Sequence, residues 1–123
     1  MALEYARARR QGGVAIIEHD AVSDMLSAMA VRLACWPKIA AGDGPECGRA
    51  QALAAKIAAT DAAVASTTDA VQVFGGTGYM IETGAEKLMR DAKYCQPFPE
   101  PNWVAHDQLI RSQRAGGAAA KRR

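Results

Sequence analysis

Apolar residues recur at helical spacing along most of this chain, and the pattern predicts two long helices. After Glu18-His19-Asp20, apolar side chains follow one another at steps of three and four residues, which places them on one face of an α-helix. The members of this stripe are Val22, Met25, Leu26, Met29, Leu33 and Trp36. Pro37 lacks a backbone donor and is expected to end or kink the helix.

The second long helix is predicted from Glu46 to Phe74. Its apolar face is formed by Leu53, Ile57, Val64 and Val71, with alanine at most other positions. Because the short turn Gly42-Asp43-Gly44-Pro45 separates the two helices, they are expected to form an antiparallel hairpin. Gly75 and Gly76 are expected to end the second helix, since glycine readily adopts the left-handed backbone of a helix C-terminus.

Shorter helices are predicted before and after this hairpin. Residues 2–10 are good helix formers that stop at Gln11-Gly12-Gly13. The segment Thr83-Gly84-Ala85-Glu86 matches a capping box, so a helix is expected to follow it as far as about Tyr94.

The three prolines between Pro97 and Pro101 require an extended loop, after which Asn102 can cap a last helix ending near Gln113. The resulting fold class is all-α, an antiparallel helix bundle in residues 1–113 whose first helix is truncated. Residues 114–123 are Gly, Ala and basic, and they are expected to form a disordered tail.

Composition supports helices and argues against several classes of function. Half of the 123 residues are apolar but only 6% are aromatic, which favours closely packed helices over a β-sandwich. The net charge of +2 is accounted for by the last three residues, so the body of the chain lacks the basic stripe of a nucleic-acid-binding protein. No secretion signal or membrane-spanning run is recognised, and a cytoplasmic location is expected.

The residue types that bind metals do not cluster in this sequence. Cys35, Cys47 and Cys95 form no CxxC pair, so three free thiols are expected rather than disulfides or a zinc site. His19 and His106 stand apart from other ligand types and are expected to make polar contacts near helix ends. No metal is therefore proposed.

The densest chemical signal is the run Gln72-Val73-Phe74-Gly75-Gly76-Thr77-Gly78-Tyr79. Three glycines around a helix end leave backbone amides open to a phosphate or to another backbone. The same glycines also suit a helix C-cap and a tight turn, and spacing alone favours this second interpretation because phosphate-binding loops usually precede a helix.

Two segments resemble the C-terminal domain of the acyl-CoA dehydrogenases. One extends from Asp69 through Tyr79 to the run Glu86-Lys87-Leu88-Met89-Arg90-Asp91-Ala92-Lys93. The other, Tyr5-Ala6-Arg7-Ala8-Arg9-Arg10-Gln11 with Gly13 and Ile17-Glu18-His19, is similar to the family segment Tyr-Ala-x-x-Arg-x-Gln-Phe-Gly followed by Glu-His-Gln. The resemblance covers Ala2 to about Gln113.

The resemblance implies a flavin site. In the family, the residue that matches Arg9 meets the FAD pyrophosphate, and Gln11 belongs to the same motif. The residues that match Gln72, Gly75 and Gly76 approach the FAD of a neighbouring subunit, so the family's site is shared across a dimer.

The sequence departs from the family at three places. Gly12 replaces an aromatic residue and Asp20 replaces an amide, so two flavin contacts are lost. The family's catalytic Glu lies in a Tyr-Glu-Gly-Thr segment, but the ungapped position here is Pro99. Glu100 comes one residue later and is the candidate base, the alternative being a solvated loop carboxylate.

Three hypotheses for function remain open at this point. The first is an FAD-dependent acyl-CoA dehydrogenase, present as a C-terminal fragment that is inactive alone because the N-terminal and middle domains are absent. The second is a non-catalytic partner that docks on a complete flavoprotein subunit, and the third is a plain helical interaction module. An apolar groove left by the truncated helix would promote self-association or binding to a full-length subunit. An oxidase or monooxygenase of the same fold also remains open.

Overall fold

The computed structural model describes residues 1–41 and 48–120, with side chains for residues 1–35 and 48–114. Helix α1 (Ala2–Ala8) precedes a hairpin of strands β1 (Arg10–Gln11) and β2 (Val14–Ala15). The remaining helices are α2 (Asp20–Ala41), α3 (Arg49–Phe74), α4 (Ala85–Cys95) and α5 (Asn102–Ala120), with 3₁₀ turns at Ile16–Glu18, Gly75–Tyr79 and Ile81–Thr83. The predicted all-α bundle is confirmed.

The residues around Gly12 and Gly13, which were expected only to end the first helix, form a β-hairpin that the residue pattern did not predict. The strands pair antiparallel, with Arg10 opposite Ala15 and Gln11 opposite Val14. Gly12 and Gly13 have φ values of 62° and 88°, and two consecutive left-handed residues make the tight turn that suits a two-residue hairpin. The glycines therefore reverse the chain as well as ending the helix.

Helix α2 begins at Asp20, as predicted, but it continues beyond Pro37 to Ala41. Pro37 was expected to end or kink the helix, and the first of these outcomes is wrong, because a proline removes one backbone hydrogen bond without preventing later residues from keeping helical dihedral angles. The first four stripe residues, Val22, Met25, Leu26 and Met29, pack against the core as expected. Leu33 does not, since 64% of it is exposed, and the side chain of Trp36 lies outside the described residues.

Helix α3 is the longest helix of the described ranges, and it carries two separate cores. At its C-terminal end, Val73 packs with Ala2, Ala6 and Ile16. At its N-terminal end, Leu53 and Ile57 pack against Ala105 and Leu109 of α5. The expected single apolar face is therefore only half right: Leu53 and Ile57 are buried, whereas Val64 and Val71 are half-buried. The helix turns a different face to each set of neighbours.

The predicted helix boundaries around α4 and α5 are approximately right, with two differences. Gly84, with φ 67°, is the N-cap of α4, and Thr83 Oγ1 accepts a hydrogen bond from the amide of Ala85 at 3.3 Å. The carboxylate of Glu86 pairs with Arg90, so the predicted capping box is wrong. Helix α5 extends to Ala120, beyond the predicted end near Gln113. The division into a domain of residues 1–113 and a tail of residues 114–123 stays a prediction.

Several sequence predictions concern residues that the structure leaves undescribed. The turn Gly42-Asp43-Gly44-Pro45 and Cys47 lie outside the described residues. Cys35 and Cys95 are free and exposed. Within the described ranges, no helix is both long enough and apolar enough to span a bilayer.

Candidate functional site

The residues with the strongest sequence signals surround one open cleft between the β-hairpin and the end of α3. The cleft has a volume of ≈ 840 Å³, and we refer to it as the hairpin cleft. The side chains or backbones that line it include all those that the resemblance assigns to FAD, namely Arg9, Gln11, Gln72, Gly75 and Gly76. Residues separated by more than sixty positions in the sequence are thus brought together on one chain.

Packing between α1 and the end of α3 forms the cleft and holds its two sides in place. The rings of Tyr5 and Phe74 are tilted by 37° with their centroids 4.5 Å apart. Below them, Ile16 and Val73 are buried in the same core. The amide of Ile16 also donates a 2.8 Å hydrogen bond to the carbonyl of Arg9, which fixes the hairpin against the 3₁₀ turn that follows it.

The glycines at the end of α3 differ in what they do. Gly75 has φ 62° and ends the helix, as predicted. A Cβ atom added at Gly75 or Gly76 would meet nothing within 4 Å, so both residues leave open space beside the backbone at the cleft. Gly78 is different, because a Cβ there would lie 2.5 Å from the carbonyl oxygen of Val71. Packing therefore requires Gly78, whereas Gly75 and Gly76 keep the cleft accessible.

The polar groups of the cleft are exposed and suit an anionic ligand. Arg9 follows directly after α1, and its exposed side chain lines the cleft. His19 also lines the cleft, with Nε2 3.3 Å from the carbonyl oxygen of Gln11, so the expected polar contact near a helix end is confirmed. Asp20, which stands where the family has an amide, is exposed at the start of α2 and is not part of the lining.

Glu100 lies in a different part of the molecule. Its carboxylate accepts a 2.8 Å hydrogen bond from Nε2 of Gln108, and its carbonyl oxygen accepts one of 2.7 Å from Nζ of Lys56. Together with Pro99 it borders a groove at the N-terminal end of α3. The structure therefore does not bring Glu100 to the hairpin cleft of its own chain.

Sequence reasoning missed part of the cleft and the lysine beside Glu100. The additional lining residues include Tyr5, Ile16, His19, Val22, Phe74 and Thr77. Tyr5 and His19 belong to the motifs already quoted, so position within a motif was an available signal for both. Lys56 had no such signal, because it is an isolated charge in an alanine-rich helix. In the part of the chain that is described, no three His, Cys, Asp or Glu side chains lie close enough to hold a metal.

Comparison with known proteins identifies the family. Residues 1–98 match the family model described as acyl-CoA dehydrogenase, C-terminal domain. An acyl-CoA dehydrogenase of Bacillus subtilis is 39% identical over 109 residues, which cover 84% of this chain and 28% of that protein. The L-prolyl-[peptidyl-carrier protein] dehydrogenase of Pseudomonas fluorescens is 32% identical over 118 residues, covering 89% of this chain and 30% of that protein.

A solved structure supports the same assignment. Butyryl-CoA dehydrogenase of Megasphaera elsdenii superimposes with a TM-score of 0.84 at 29% identity, over 91% of this chain and 30% of that one. The chain thus spans less than a third of the length of the relatives it matches. The family model and the shared fold together show that the chain belongs to the acyl-CoA dehydrogenase family and matches its C-terminal domain.

Proposed function

We propose that this chain is the C-terminal helical part of an FAD-dependent acyl-CoA dehydrogenase, which forms the α,β double bond of acyl-CoA thioesters. In this proposal the hairpin cleft contributes to FAD binding, and catalysis requires further protein beyond this chain. The observation that carries the proposal is the convergence of Arg9, Gln11, Gln72, Gly75 and Gly76 on one cleft.

The chemistry of the cleft fits a phosphate-containing cofactor. A guanidinium such as that of Arg9 can donate two parallel hydrogen bonds to phosphate oxygens. The amide side chains of Gln11 and Gln72 offer both donors and acceptors for the polar groups of a nucleotide. Beside them, Gly75 and Gly76 leave space for a ligand to approach the backbone closely.

The residues of this chain would hold and orient the cofactor, and bound FAD would supply the hydride acceptor. Glu100 is the proposed base for the proton α to the thioester carbonyl, a role that needs a carboxylate within hydrogen-bond distance of that proton. Its separation from the hairpin cleft is compatible with a site shared between subunits, in which one chain contributes to two flavins.

A second candidate is a non-catalytic helical partner that docks on a complete flavoprotein subunit. The observation that favours it is the exposed apolar segment Tyr79-Met80-Ile81, in which Tyr79 is 80% and Ile81 is 85% exposed. This segment follows the glycine turn that borders the hairpin cleft, so docking there would bring the cleft close to a partner.

Gel filtration of the purified chain with added FAD tests the flavin proposal. We expect flavin absorbance to travel with the protein and Arg9→Gln to weaken FAD binding by about tenfold or more, because a charged hydrogen bond to phosphate is lost. Arg7→Gln is the matched control, since Arg7 is exposed on α1 and does not line the cleft. A colourless, folded protein peak would reject FAD binding by this chain alone.

The two candidates are separated by activity and by co-purification. A C-terminal part of the enzyme should restore acyl-CoA dehydrogenation when it is mixed with the N-terminal and middle domains of a relative. A docking partner should instead co-elute with a complete subunit and leave its turnover independent of Glu100.

A further inference from the structure

The ammonium group of Lys56, on α3, makes three hydrogen bonds to the loop between α4 and α5 and to the residue that follows it. Nζ of Lys56 donates hydrogen bonds to the carbonyl oxygens of Gln96 at 2.8 Å and Glu100 at 2.7 Å, and to Oδ1 of Asn102 at 2.5 Å. These acceptors lie at the beginning, near the end and just after the proline-rich loop. One charged donor group therefore closes the whole loop against the helix.

Further polar contacts reinforce the same attachment. Nδ2 of Asn102 donates to Thr60 Oγ1 and to Asp61 Oδ1, both at 2.9 Å, and Nε2 of Gln96 donates to the same Asp61 oxygen at 2.7 Å. Lys56, Thr60 and Asp61 lie within little more than one helical turn of α3. We refer to these residues together with Gln96, Glu100 and Asn102 as the Lys56 network.

The network also constrains the carboxylate of Glu100. The backbone of Glu100 is held by Lys56, while its side chain accepts a hydrogen bond from Gln108 at 2.8 Å. Gln108 is held in turn by Nη2 of Arg49, which donates to its Oε1 at 2.6 Å. Because hydrogen bonds hold both its backbone and its carboxylate, the side chain of Glu100 has one preferred orientation.

We propose that Lys56 is a positioning residue that fixes the direction of the Glu100 carboxylate by holding the loop between α4 and α5. The importance of this orientation for catalysis rests on the proposed function, in which Glu100 is the base. The positioning of Glu100 by Lys56 does not rest on it, because it concerns contacts within this chain. The ammonium group is well suited to the task, since three donors on one nitrogen match three acceptors from separate positions of the loop.

The test uses the isolated chain and three lysine variants. Lys56→Met retains an apolar stem without donors, and Lys56→Ala opens space for an added ethylammonium ion. Lys87→Met is the matched control, because Lys87 is exposed and pairs with Asp91 one turn along α4, away from the loop. Two signals are followed: hydrogen exchange of the hydrogen-bonded backbone amides of Gln96 and Asn102 at the two ends of the loop, and the side-chain amide resonances of Gln108, which report on its bond to Glu100.

We expect Lys56→Met to raise exchange of the Gln96 and Asn102 amides by about tenfold and to shift the Gln108 side-chain resonances, with α1 and α2 unaffected. Ethylammonium should reverse both changes in Lys56→Ala, whereas Lys87→Met should show neither. A general loss of packing would not respond to ethylammonium, so absence of rescue would overturn the proposal. Unchanged Gln108 resonances in Lys56→Met would also overturn it.

A companion experiment separates this proposal from the assignment of Glu100 as base. Glu100→Gln is measured for acyl-CoA dehydrogenation after the chain is reconstituted with the N-terminal and middle domains of a relative, and for exchange of the Gln96 and Asn102 amides in the isolated chain. Full activity of Glu100→Gln would reject the base assignment and leave the positioning result standing. If amide exchange in the loop did not change on substitution of Lys56, the positioning role would be rejected, whatever the activity of Glu100→Gln.

Discussion

At the scale of single residues, Gly78 is the position, among the described glycines, at which an added Cβ atom would come closest to its neighbours. A Cβ atom at this position would lie 2.5 Å from the carbonyl oxygen of Val71 and 2.6 Å from Cβ of Phe74. We expect Gly78→Ala to lower the free energy of unfolding by about 1–3 kcal/mol, because the turn must shift away from α3.

Gly76→Ala provides the comparison for this prediction. An added Cβ there meets nothing within 4 Å, and the residue is not among the glycines with positive φ. Its effect on the free energy of unfolding should be within about 0.5 kcal/mol, as for an ordinary surface substitution. Denaturant titrations of both variants would measure the difference, and equal losses would show that the close contact around Gly78 relaxes at no cost.

Most of the candidate flavin site could be predicted from sequence, and the surroundings of Glu100 could not. Arg9, Gln72 and the glycines lie in continuous motifs, so family resemblance identifies them from the order of residues alone. The structure adds that they share one cleft. The contacts of Lys56 and Gln108 join residues 44 and 8 positions from Glu100, and no local pattern specifies such pairs.

At the scale of helices, an ion pair between Arg32 and Asp69 joins the middle of α2 to α3. Nη1 of Arg32 lies 2.5 Å from Oδ2 of Asp69, and both side chains are about two-thirds buried, with 31% and 27% of their surface exposed. We expect Asp69→Asn to destabilise the fold by about 1–2 kcal/mol, because the guanidinium of Arg32, which is about two-thirds buried, loses its charged partner.

The matched substitution is Asp91→Asn, which removes a pair that is exposed and lies within a single helix. Lys87 and Asp91 are 66% and 56% exposed, so the expected loss is at most roughly 0.5 kcal/mol. Thermal unfolding of both variants at low and high salt would check that Asp69→Asn lowers the stability more than Asp91→Asn does. If Asp69→Asn were no more harmful than Asp91→Asn, the contact between α2 and α3 would depend on apolar packing alone.

Helix positions were predicted better than helix ends and faces, for physical reasons. Periodicity identifies a helix because the buried positions repeat, as they do from Val22 to Met29. It does not show which neighbour each face meets, and α3 meets different neighbours at its two ends. Pro37 shows the limit of local rules, since the helix continues despite the missing donor.

At the scale of the whole molecule, the separation of the two cores predicts that each can unfold locally without the other. Ile16 belongs to the core shared by α1, α2 and α3, and Ile57 belongs to the core shared by α3 and α5. Both side chains are more than nine-tenths buried, so removing one methyl from either should cost about 1 kcal/mol.

We expect Ile57→Val to raise amide exchange by about fivefold in α5, and Ile16→Val to do so in α1 and the hairpin. Each variant serves as the control for the other, since the chemical change is the same. Hydrogen exchange followed by mass spectrometry would resolve the two regions. A uniform increase in either variant would show that the chain opens as one cooperative unit instead.

Exposed apolar side chains in the described part of the chain predict association. Tyr79, Ile81 and Trp103 have 80%, 85% and 74% of their surface exposed. We expect analytical ultracentrifugation to show concentration-dependent self-association, and Ile81→Lys to weaken it because this apolar residue is 85% exposed. Leu33→Lys, at an exposed site on α2, is the comparison, and a strictly monomeric chain at all concentrations would contradict the prediction.

The order of contacts along α3 has a consequence for how the polypeptide reaches this structure. The principal helix pairs, α2 with α3 and α3 with α4, are neighbours in the sequence, so most of the loops that must close are short. Chains with such local topology fold within microseconds to milliseconds, faster than typical encounters between macromolecules. Assembly with a flavin or a partner should therefore begin from a folded chain, and its rate should rise in proportion to the concentration of the binding partner.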